Sequence, residues 1–521
     1  MKQKPDYVVV GAGASGCVLT RRLLDAGARV LLLEAGGADG HLFVTAPAAF
    51  SRLFKTRHDW AFFTEPQREL FGRKLYWPRG KVLGGSSAIN ATIYIRGSRQ
   101  DFAAWGEGWA WDDVLPAYRS IECYSGEANS SRGASGELPV GHRSGGSHGL
   151  SKRFVVSASE SMKIPQVQSF NDGTLEGAGL FESNHLRGER WSAFRAFLKP
   201  KLGDPKLTVL TGAQATRLLW NGDRATGVQF MFQGRLREVQ AGGVVLAGGT
   251  VNTPQLLMLS GVGPRAELAR QGIGVRQHLP GVGQNLQDHP ATAMIYRSTL
   301  PTLDAQLTDW AAIPYLLGRR GALTSNVAEA GAFVKSNAGL DAPDLQYHFA
   351  PAYFREHGFQ RQRGAFFTLG PVLVAPQSRG EVGLLSPDPL AAPRIDPRYL
   401  SDNGGGEGSE DLAALVSGLQ LAREVASSGP LSEARGDEYL PADLGLPEYV
   451  RREMETLYHP VGTCALGESD SSVVNRRLAV HGTHGLWVAD ASVMPRIVHA
   501  NTNATSMMIG ERAARFILRD A

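Results

Sequence analysis

The sequence predicts a mixed α/β protein of two domains, one of which binds a nucleotide and is discontinuous along the chain. The first observation is a βαβ unit: a short buried strand at Tyr7–Val10, a helix at Ala14–Asp25 and a second strand at residues 30–33. The second is a strand at Leu486–Val488, followed by a loop and a helix over about residues 504–518. The third is the length of 521 residues, which exceeds what one hydrophobic core usually serves.

The middle of the chain carries the remaining elements. Residues 206–247 alternate like antiparallel strands and close with the apolar strand VVLAGG, and a helix is expected over about residues 253–259. Residues 290–450 mix strand and helix patterns and are expected to form a separate layer. The Gly- and Ser-rich residues 125–150 are expected to be a linker.

The composition is that of an ordinary globular enzyme, with 43% hydrophobic and 20% charged residues. The formal net charge of +4 is weak and the basic residues are dispersed, so no nucleic-acid partner is expected. Three cysteines, Cys17, Cys123 and Cys464, match neither a disulfide framework nor a zinc site, and we predict no metal. No signal-peptide pattern precedes the first strand and no apolar run reaches the ~18 residues of a membrane span, so we expect a cytoplasmic protein. Peripheral attachment to the cytoplasmic face of a membrane is left open.

A Gly-rich turn joins the first strand to the first helix. Gly11 suits the tight turn, Gly13 allows a pyrophosphate to approach the backbone, and Gly16 allows the helix to pack on the strand. Glu34, at the end of the second strand, is placed to bind an adenosine ribose. This pattern predicts dinucleotide binding but does not choose between FAD and NAD.

Longer motifs make that choice. They are GKVLGGSSAIN at 80–90, GTVNTPQLLMLSGVG at 249–263, HPVGT at 459–463, VADASVMP at 488–495 and NTNA at 501–504. In content and order they resemble the signatures of the glucose–methanol–choline (GMC) flavoprotein family, and the resemblance covers nearly the whole chain. It implies a Rossmann-like FAD-binding domain and a substrate domain built on an antiparallel sheet with helices.

On this basis we predict an FAD-binding domain of residues 1–155, 200–290 and 455–521. The substrate-binding domain is then formed by residues 156–199 and 291–454.

Within the family, the chain is most similar to bacterial choline-dehydrogenase-like alcohol dehydrogenases, including those of alkane and polyether degradation. The segments that carry this likeness are SNVAEAGAFVKS at 325–336 and LQYHFAPAYFREHG at 345–358. The resemblance implies oxidation of a primary alcohol to an aldehyde by hydride transfer to flavin N5, with a quinone or other non-oxygen acceptor. An oxygen-using oxidase, a hydroxynitrile lyase and a fatty-acid photodecarboxylase stay open as alternatives, as does a non-enzymatic FAD-binding or electron-relay protein. The sequence leaves the oligomeric state open.

The resemblance also assigns cofactor residues. The loop at Gly84–Ser86 is expected to lie against the pyrophosphate and ribityl chain, because a side chain at either glycine would collide with them. Some relatives attach FAD through a histidine where this chain has Ile89, so we predict non-covalent FAD. The predicted cofactor-binding residues are Gly11, Gly13, Ala14, Ser15, Gly16, Glu34, Ala35, Arg79, Val82, Gly84, Gly85, Ser86, Asn90, Ala91, Ile93, Ala215, Asp490, Ala491, Asn501 and Thr502.

Two residues are predicted to act on the substrate. His459 matches the family's catalytic base, a role for which a neutral imidazole is suited. Asn503 matches the second catalytic position and is expected to hydrogen-bond the substrate oxygen. It is also expected to cap the C-terminal helix, whose N-terminus would stabilise negative charge on the flavin.

Other candidates have weaker support. Cys464 lies near the base but is better interpreted as buried packing, as is Cys17. His348 and His357 are candidates for the pocket lining. Residues 310–317 (WAAIPYLL), followed by Arg319 and Arg320, favour a buried core segment over a mobile lid or a membrane-docking patch.

Overall fold

The central sheet of the protein is built from strands that lie far apart in the sequence. A computed structural model describes residues 4–143, 145–307 and 309–520. Five parallel strands form this first sheet, in the spatial order Leu207–Thr211, Val30–Glu34, Tyr7–Val10, Gly243–Leu246 and Leu486–Val488. The inner strands are almost uniformly apolar because parallel strands are covered on both faces. The predicted α/β class and the N-terminal βαβ unit are confirmed.

Two helices from opposite ends of the chain pack together on this sheet. Ala14–Asp25 follows the first strand, and Thr502–Asp520 follows the last one. A Cβ atom added at Gly510 would lie 2.4 Å from the carbonyl oxygen of Ser15, so the two backbones approach very closely. The C-terminal helix begins at Thr502, two residues before the start predicted from the sequence.

The residues between Leu207–Thr211 and Gly243–Leu246 form a small antiparallel sheet. Its strands are Ala213–Asn221, Arg224–Phe232 and Arg235–Gln240. The antiparallel pattern predicted for residues 206–247 therefore holds for these strands. The prediction was wrong at its two ends, where Leu207–Thr211 and Gly243–Leu246 are parallel strands of the first sheet.

A second large sheet is antiparallel. Its main path runs Arg435–Leu440, Met294–Ser298, Phe366–Leu373, Leu345–Ala350, Ala330–Val334 and Gly177–Leu180, with Pro290–Ala291 and Glu455–Thr456 paired beside it. The helices Gly149–Met162 and Glu410–Ala426 cover one face. The second of them buries Leu412, Leu415 and Leu419, whose spacing places them on one side of a helix. The two-domain division stays a prediction, and this placement of the strands is what supports it.

Shorter elements complete the fold. The remaining α-helices are Leu42–Thr45, Arg99–Ala103, Trp111–Ile121, Gly249–Leu259, Arg265–Arg270, Ala312–Gly318, Gly429–Ser432 and Leu446–Glu453. The remaining strand pairs are Phe62–Phe63 with Tyr76–Trp77, Glu122–Tyr124 with Leu138–Val140, His185–Leu186 with Glu189–Arg190, Val262–Gly263 with Gln277–His278, and Glu381–Gly383 with Arg394–Asp396. Within the described ranges, no helix is both long and apolar enough to cross a membrane.

Two local predictions were wrong. Residues 125–150 are not a free linker, because Arg132 is buried among them and forms ion pairs with Glu122 and Glu182 at 2.6 and 2.8 Å. Residues 310–317 are not a buried core segment. Trp310 and Leu317 are 76% and 85% exposed, and only the side chain of Tyr315 is fully buried in this stretch.

Candidate active site

One elongated cavity connects the Gly-rich turn with the segment that contains His459. Its volume is about 620 Å³. Gly11, Glu34 and Ala215 line it on the side of the first sheet, and His348 and His459 line it on the side of the second. Such a shape suits a dinucleotide that lies along the cavity with space for a small substrate near its end.

The Gly-rich turn is shaped to leave this cavity open. Gly11 has a φ of +104°, and a Cβ atom there would lie 2.4 Å from the carbonyl oxygen of Ala247. A Cβ atom at Gly85 would lie 2.7 Å from Cα of Gly13, so the two glycine loops are in direct contact. The helix Ala14–Asp25 starts here without a side-chain cap, which leaves its first N–H groups free to bind phosphate. The residues present therefore fit a pyrophosphate.

Glu34 lies beside the Gly-rich turn, at the end of the strand Val30–Glu34. Its carboxylate accepts hydrogen bonds from the backbone N–H groups of Ala12 and Gly36, at 2.9 and 2.8 Å. Burial raises the pKa of this carboxyl group to about 7 in spite of those two donors. Each carboxylate oxygen has two lone pairs, so Glu34 keeps acceptor capacity for a ribose hydroxyl group.

Most of the residues predicted to hold FAD line this cavity. They are Gly11, Gly13, Ala14, Ser15, Glu34, Ala35, Arg79, Gly85, Ser86, Asn90, Ala91, Ile93, Ala215, Asp490, Ala491, Asn501 and Thr502. Three others lie behind the lining and support it. Gly16 lets the first helix pack on the turn, since its Cβ would lie 2.0 Å from the oxygen of Gly11. Val82 is fully buried, and Gly84 donates its N–H to the carbonyl of Ala12 at 2.8 Å.

Asp490 ties the second signature motif to the last strand of the first sheet. Its carboxylate accepts hydrogen bonds from Thr253 Oγ1 at 2.6 Å, from Gly249 N at 2.9 Å and from Ser492 N at 2.8 Å. The helix Gly249–Leu259 starts four residues earlier than expected, so that its first turn reaches this carboxylate. The motif thus acts here by holding two distant segments together at the cavity wall.

The same helix also fixes the segment that carries His459. Thr250 Oγ1 donates to the carbonyl of Pro460, and Thr463 Oγ1 donates to the carbonyl of Thr250, both at 2.7 Å. Sequence reasoning missed Thr250 as a contact, although it lies inside a recognised motif. Arg79, predicted to bind the cofactor, reaches this segment as well and donates to the carbonyl of Tyr458.

A buried carboxylate positions the backbone of His459. Asp288 accepts the N–H of His459 at 2.8 Å and the hydroxyl of Thr456 at 2.6 Å. The hydroxyl of Tyr399 donates to the same carboxylate. His459 is therefore held at a fixed position on the cavity wall, as a catalytic group requires.

The imidazole of His459 lies between two partners. Its Nδ1 is 3.0 Å from Nδ1 of His289, a ring that is fully buried and perpendicular to it. Its Nε2 is 3.3 Å from Nδ2 of Asn501. Burial, together with the His289 and His348 rings and Arg79, lowers the pKa of His459 well below its ordinary value. Burial also lowers the pKa of His289 to about 3, so both rings are neutral.

Asn501, rather than Asn503, is the asparagine beside His459. Because the C-terminal helix begins at Thr502, Asn501 occupies the position directly before it that the sequence had given to Asn503. Asn501 is buried, and its Oδ1 accepts a hydrogen bond from Nε2 of Gln346 at 3.1 Å. Asn503 lines the same cavity from within the first turn of the helix.

The cavity wall includes apolar side chains that cluster with Tyr458, the residue before His459; they are Phe50, Phe54, Ile89, Val327 and Phe354. Sequence reasoning did not single out these phenylalanines or Val327, although Val327 and Phe354 lie in the segments 325–336 and 345–358 that carry the likeness to choline-dehydrogenase-like enzymes. His348 and His357 also line the cavity, in line with the sequence hypothesis for both.

Two carboxylates at the cavity wall are paired with arginines. Arg73 is paired with Glu455 at 2.5 Å, and Arg355 with Glu453 at 2.8 Å. These carboxylates are thus already neutralised by arginines of the protein.

The two buried cysteines are not poised to react with a substrate. Cys17 and Cys464 are fully buried, and burial raises the pKa of both thiols, which disfavours the reactive thiolate. Among the described residues, no group of histidine, cysteine, aspartate and glutamate side chains is arranged to hold a metal ion.

Comparisons with known proteins agree with this geometry. Residues 5–291 and 376–510 match the N-terminal and C-terminal family models described as GMC oxidoreductase. The chain is 40% identical to the alcohol dehydrogenase [acceptor] of Pseudomonas putida, over 99% of this chain and 96% of that protein. It is 37% identical to the oxygen-dependent choline dehydrogenase of Rhizobium johnstonii, over 98% and 95% of the two chains. A solved formate oxidase variant of Aspergillus oryzae, made to study FAD modification, superposes with a TM-score of 0.92 at 27% identity, over 99% of this chain and 98% of that one.

Proposed function

The chain belongs to the GMC oxidoreductase family, and from that premise we propose that it oxidises a neutral primary alcohol to an aldehyde with His459 as the base. Its membership makes it an FAD-dependent enzyme that acts on CH–OH groups. The observation that carries the finer proposal is the pair of nitrogens, His459 Nε2 and Asn501 Nδ2, held 3.3 Å apart on the cavity wall.

The hydrogen-bond chain supports Nε2 as the nitrogen of His459 that acts as the base. Gln346 donates to Oδ1 of Asn501, so Asn501 presents its N–H₂ group to His459. An N–H₂ group only donates, and Nε2 of His459 must therefore be the unprotonated nitrogen. In a neutral imidazole the proton then lies on Nδ1, from which it is donated to Nδ1 of His289. We infer that His289 holds His459 in the tautomer of a base.

The protein's part in the reaction follows from these contacts. A substrate hydroxyl group bound beside the two nitrogens takes the place of Asn501 as the donor to His459 Nε2 and passes its proton there, while the N–H₂ group of Asn501 donates to the same oxygen. FAD, when bound, supplies the acceptor for the hydride that leaves the carbinol carbon. The residues that would hold it are the two glycine loops, Glu34 and the start of the C-terminal helix. The apolar wall keeps water from the reacting groups.

The substrate class follows from the lining. Phenylalanine and aliphatic side chains surround the space next to His459, and the carboxylates of Glu453 and Glu455 are occupied by arginines. A quaternary ammonium ion would thus enter a region where Glu453 and Glu455 already have arginine partners, which makes its burial costly. We propose aliphatic or aromatic alcohols without charge as substrates. The acceptor is proposed to be a quinone or another non-oxygen molecule, supported by the likeness to the alcohol dehydrogenase [acceptor].

The decisive experiment is anaerobic mixing of the flavin-loaded enzyme with 1-octanol, benzyl alcohol and choline. The neutral alcohols are expected to bleach the flavin absorbance in a single turnover, whereas choline leaves it largely oxidised. Oxygen, a soluble quinone and a dye are then admitted separately to the reduced enzyme. Rapid reoxidation by the quinone with little hydrogen peroxide would support the dehydrogenase. Stoichiometric peroxide would make the protein an oxidase, and no bleaching by any alcohol would favour lyase, photodecarboxylase or non-enzymatic alternatives.

The flavin is proposed to be bound without a covalent link. Ile89 lines the cavity in the motif where some relatives carry a histidine, and its hydrocarbon side chain offers no nucleophile. Acid precipitation of the purified protein is therefore expected to release the flavin into the supernatant, where its absorbance is measured. Free FAD added to the apoprotein and precipitated in the same way serves as the control. Yellow colour that stays in the washed pellet would contradict the proposal.

A further inference from the structure

A short helix and the turn before it present apolar side chains to solvent. We call the group formed by Trp310, Ile313, Leu316 and Leu317 the apolar ridge; these side chains are 76%, 47%, 56% and 85% exposed. The helix Ala312–Gly318 is thus apolar on the side where a surface helix is normally polar. Exposed large apolar residues gathered on one element mark an interaction site more often than scattered ones do.

The ridge is anchored from beneath. Tyr315 is fully buried and packs with Ala46 and Ala49, and its hydroxyl is 3.4 Å from Oγ1 of Thr45. The helix is therefore attached to the body of the protein through one aromatic side chain, while the ridge faces outward. The exposure of the ridge is a property of the folded state and does not arise from a detached segment.

Arginine side chains border the ridge. Arg319 and Arg320 follow the helix directly, and Arg320 is exposed. The turn of the His185–Arg190 hairpin lies against them, since a Cβ atom at Gly188 would be 2.4 Å from the carbonyl of Arg319. That turn adds exposed Arg187 next to Leu186, which is 39% exposed. The acidic residue of the hairpin, Glu189, is neutralised by ion pairs of 2.8 Å with Arg319 and Arg195.

We propose that the apolar ridge and its arginines dock the enzyme on the surface of an anionic lipid bilayer. Tryptophan and leucine side chains insert at the boundary of headgroups and acyl chains, where an indole ring is especially stable. Exposed arginines beside them bind lipid phosphates and anionic headgroups. A second protein chain fits less well, because a standard interface buries about 800 Å² per partner over roughly 20–30 residues, far more than four side chains offer.

Docking in this orientation would have a use in the reaction. Tyr315 packs against the segment that leads to Phe50, and Phe50 lines the cavity next to His459. The ridge and the cavity wall are thus linked by residues 46–50, so a lipid surface bound to the ridge would lie near one wall of the cavity. This use of docking rests on the proposed function; the docking itself does not.

The test is co-sedimentation of the holoenzyme with vesicles of phosphatidylcholine alone and of phosphatidylcholine with phosphatidylglycerol. Binding is expected to the anionic vesicles, to weaken with added salt, and to be much lower on the neutral ones. L316S/L317S should weaken binding about tenfold or more, because two apolar side chains leave the lipid. R320E should weaken it on anionic vesicles. The matched control is L202S/L236S, which removes two leucines that are 53% and 52% exposed elsewhere and should bind like the wild type.

Two results would overturn the proposal. One is the absence of wild-type binding to either kind of vesicle. The other is a concentration-dependent dimer, measured by sedimentation velocity, that L316S/L317S abolishes; the ridge would then be an interface between copies of the chain. Flavin reduction by benzyl alcohol in solution should be the same in all of these variants. If no alcohol reduces the flavin, the proposed function fails while the vesicle result stands by itself.

Discussion

Replacing His459 with alanine is expected to slow alcohol-dependent flavin reduction by about 10²- to 10⁴-fold, the range that a positioned general base contributes. The substituted enzyme keeps its glycine loops and its Glu34 contacts, so FAD should remain bound. The rate is measured by anaerobic stopped-flow mixing with benzyl alcohol. The effect should appear in the rate at saturating alcohol, since the base acts on the bound substrate.

His484→Ala is the matched control for this substitution. His484 is 71% exposed in its side chain and lies outside the cavity, so its loss should leave flavin reduction unchanged. Flavin content and the melting temperature verify that both variants are folded. A rate for His459→Ala within about tenfold of the wild type would exclude His459 as the base, because that loss is below the contribution of general base catalysis.

Replacing Asn501 with alanine is expected to lower the same rate by about 10²-fold, which is the effect of losing one fixed hydrogen-bond donor to a reacting oxygen. The substitution also removes a partner of Gln346 and leaves the Nε2 side of His459 without its neighbour. Asn501→Asp offers a second test: it keeps the shape but puts an acceptor where a donor is needed, and it should not restore the rate.

Asn503→Ala distinguishes the role proposed here for Asn501 from the role that the sequence assigned to Asn503. Asn503 lies two residues further along the chain, within the helix. Its replacement should lower the rate of flavin reduction by less than about tenfold, a free-energy change no larger than that of one ordinary hydrogen bond. If Asn503→Ala proved the more damaging of the two, the assignment made from the sequence would be right and the role proposed for Asn501 would be wrong.

The nucleotide half of the site was predictable because its motifs act through the backbone. The turn at Gly11 and the loop at Gly85 need glycine wherever chains approach this closely, so the residue type itself reports the geometry. Gly16, Val82 and Gly84, which were also predicted to bind the cofactor, are not among the residues that line the cavity and are tightly packed beside it. A motif records that a position is constrained but does not show whether a ligand or another backbone imposes the constraint.

The substrate half could not be placed to the residue. The sequence NTN offers an asparagine at 501 and at 503, and the start of the helix, which element patterns locate only to within a few residues, decides between them. His289 reaches His459 through the pairing of Pro290–Ala291 with Glu455–Thr456, and Gln346 reaches Asn501 through its side chain; no local sequence pattern records either contact. The apolar composition of residues 310–317 predicts a buried core segment, but composition does not show which side of a helix other elements cover.

The bonds of Asp490 to Thr253 and Gly249 connect positions 237 and 241 residues apart. A growing polypeptide cannot make them until nearly all of it has been synthesised, and the helix that begins at Thr502 forms later still. The complete flavin site can therefore form only when synthesis of the chain is nearly finished. Until then the nascent chain keeps an incomplete parallel sheet whose apolar edge needs protection, by a chaperone or by rapid completion of synthesis.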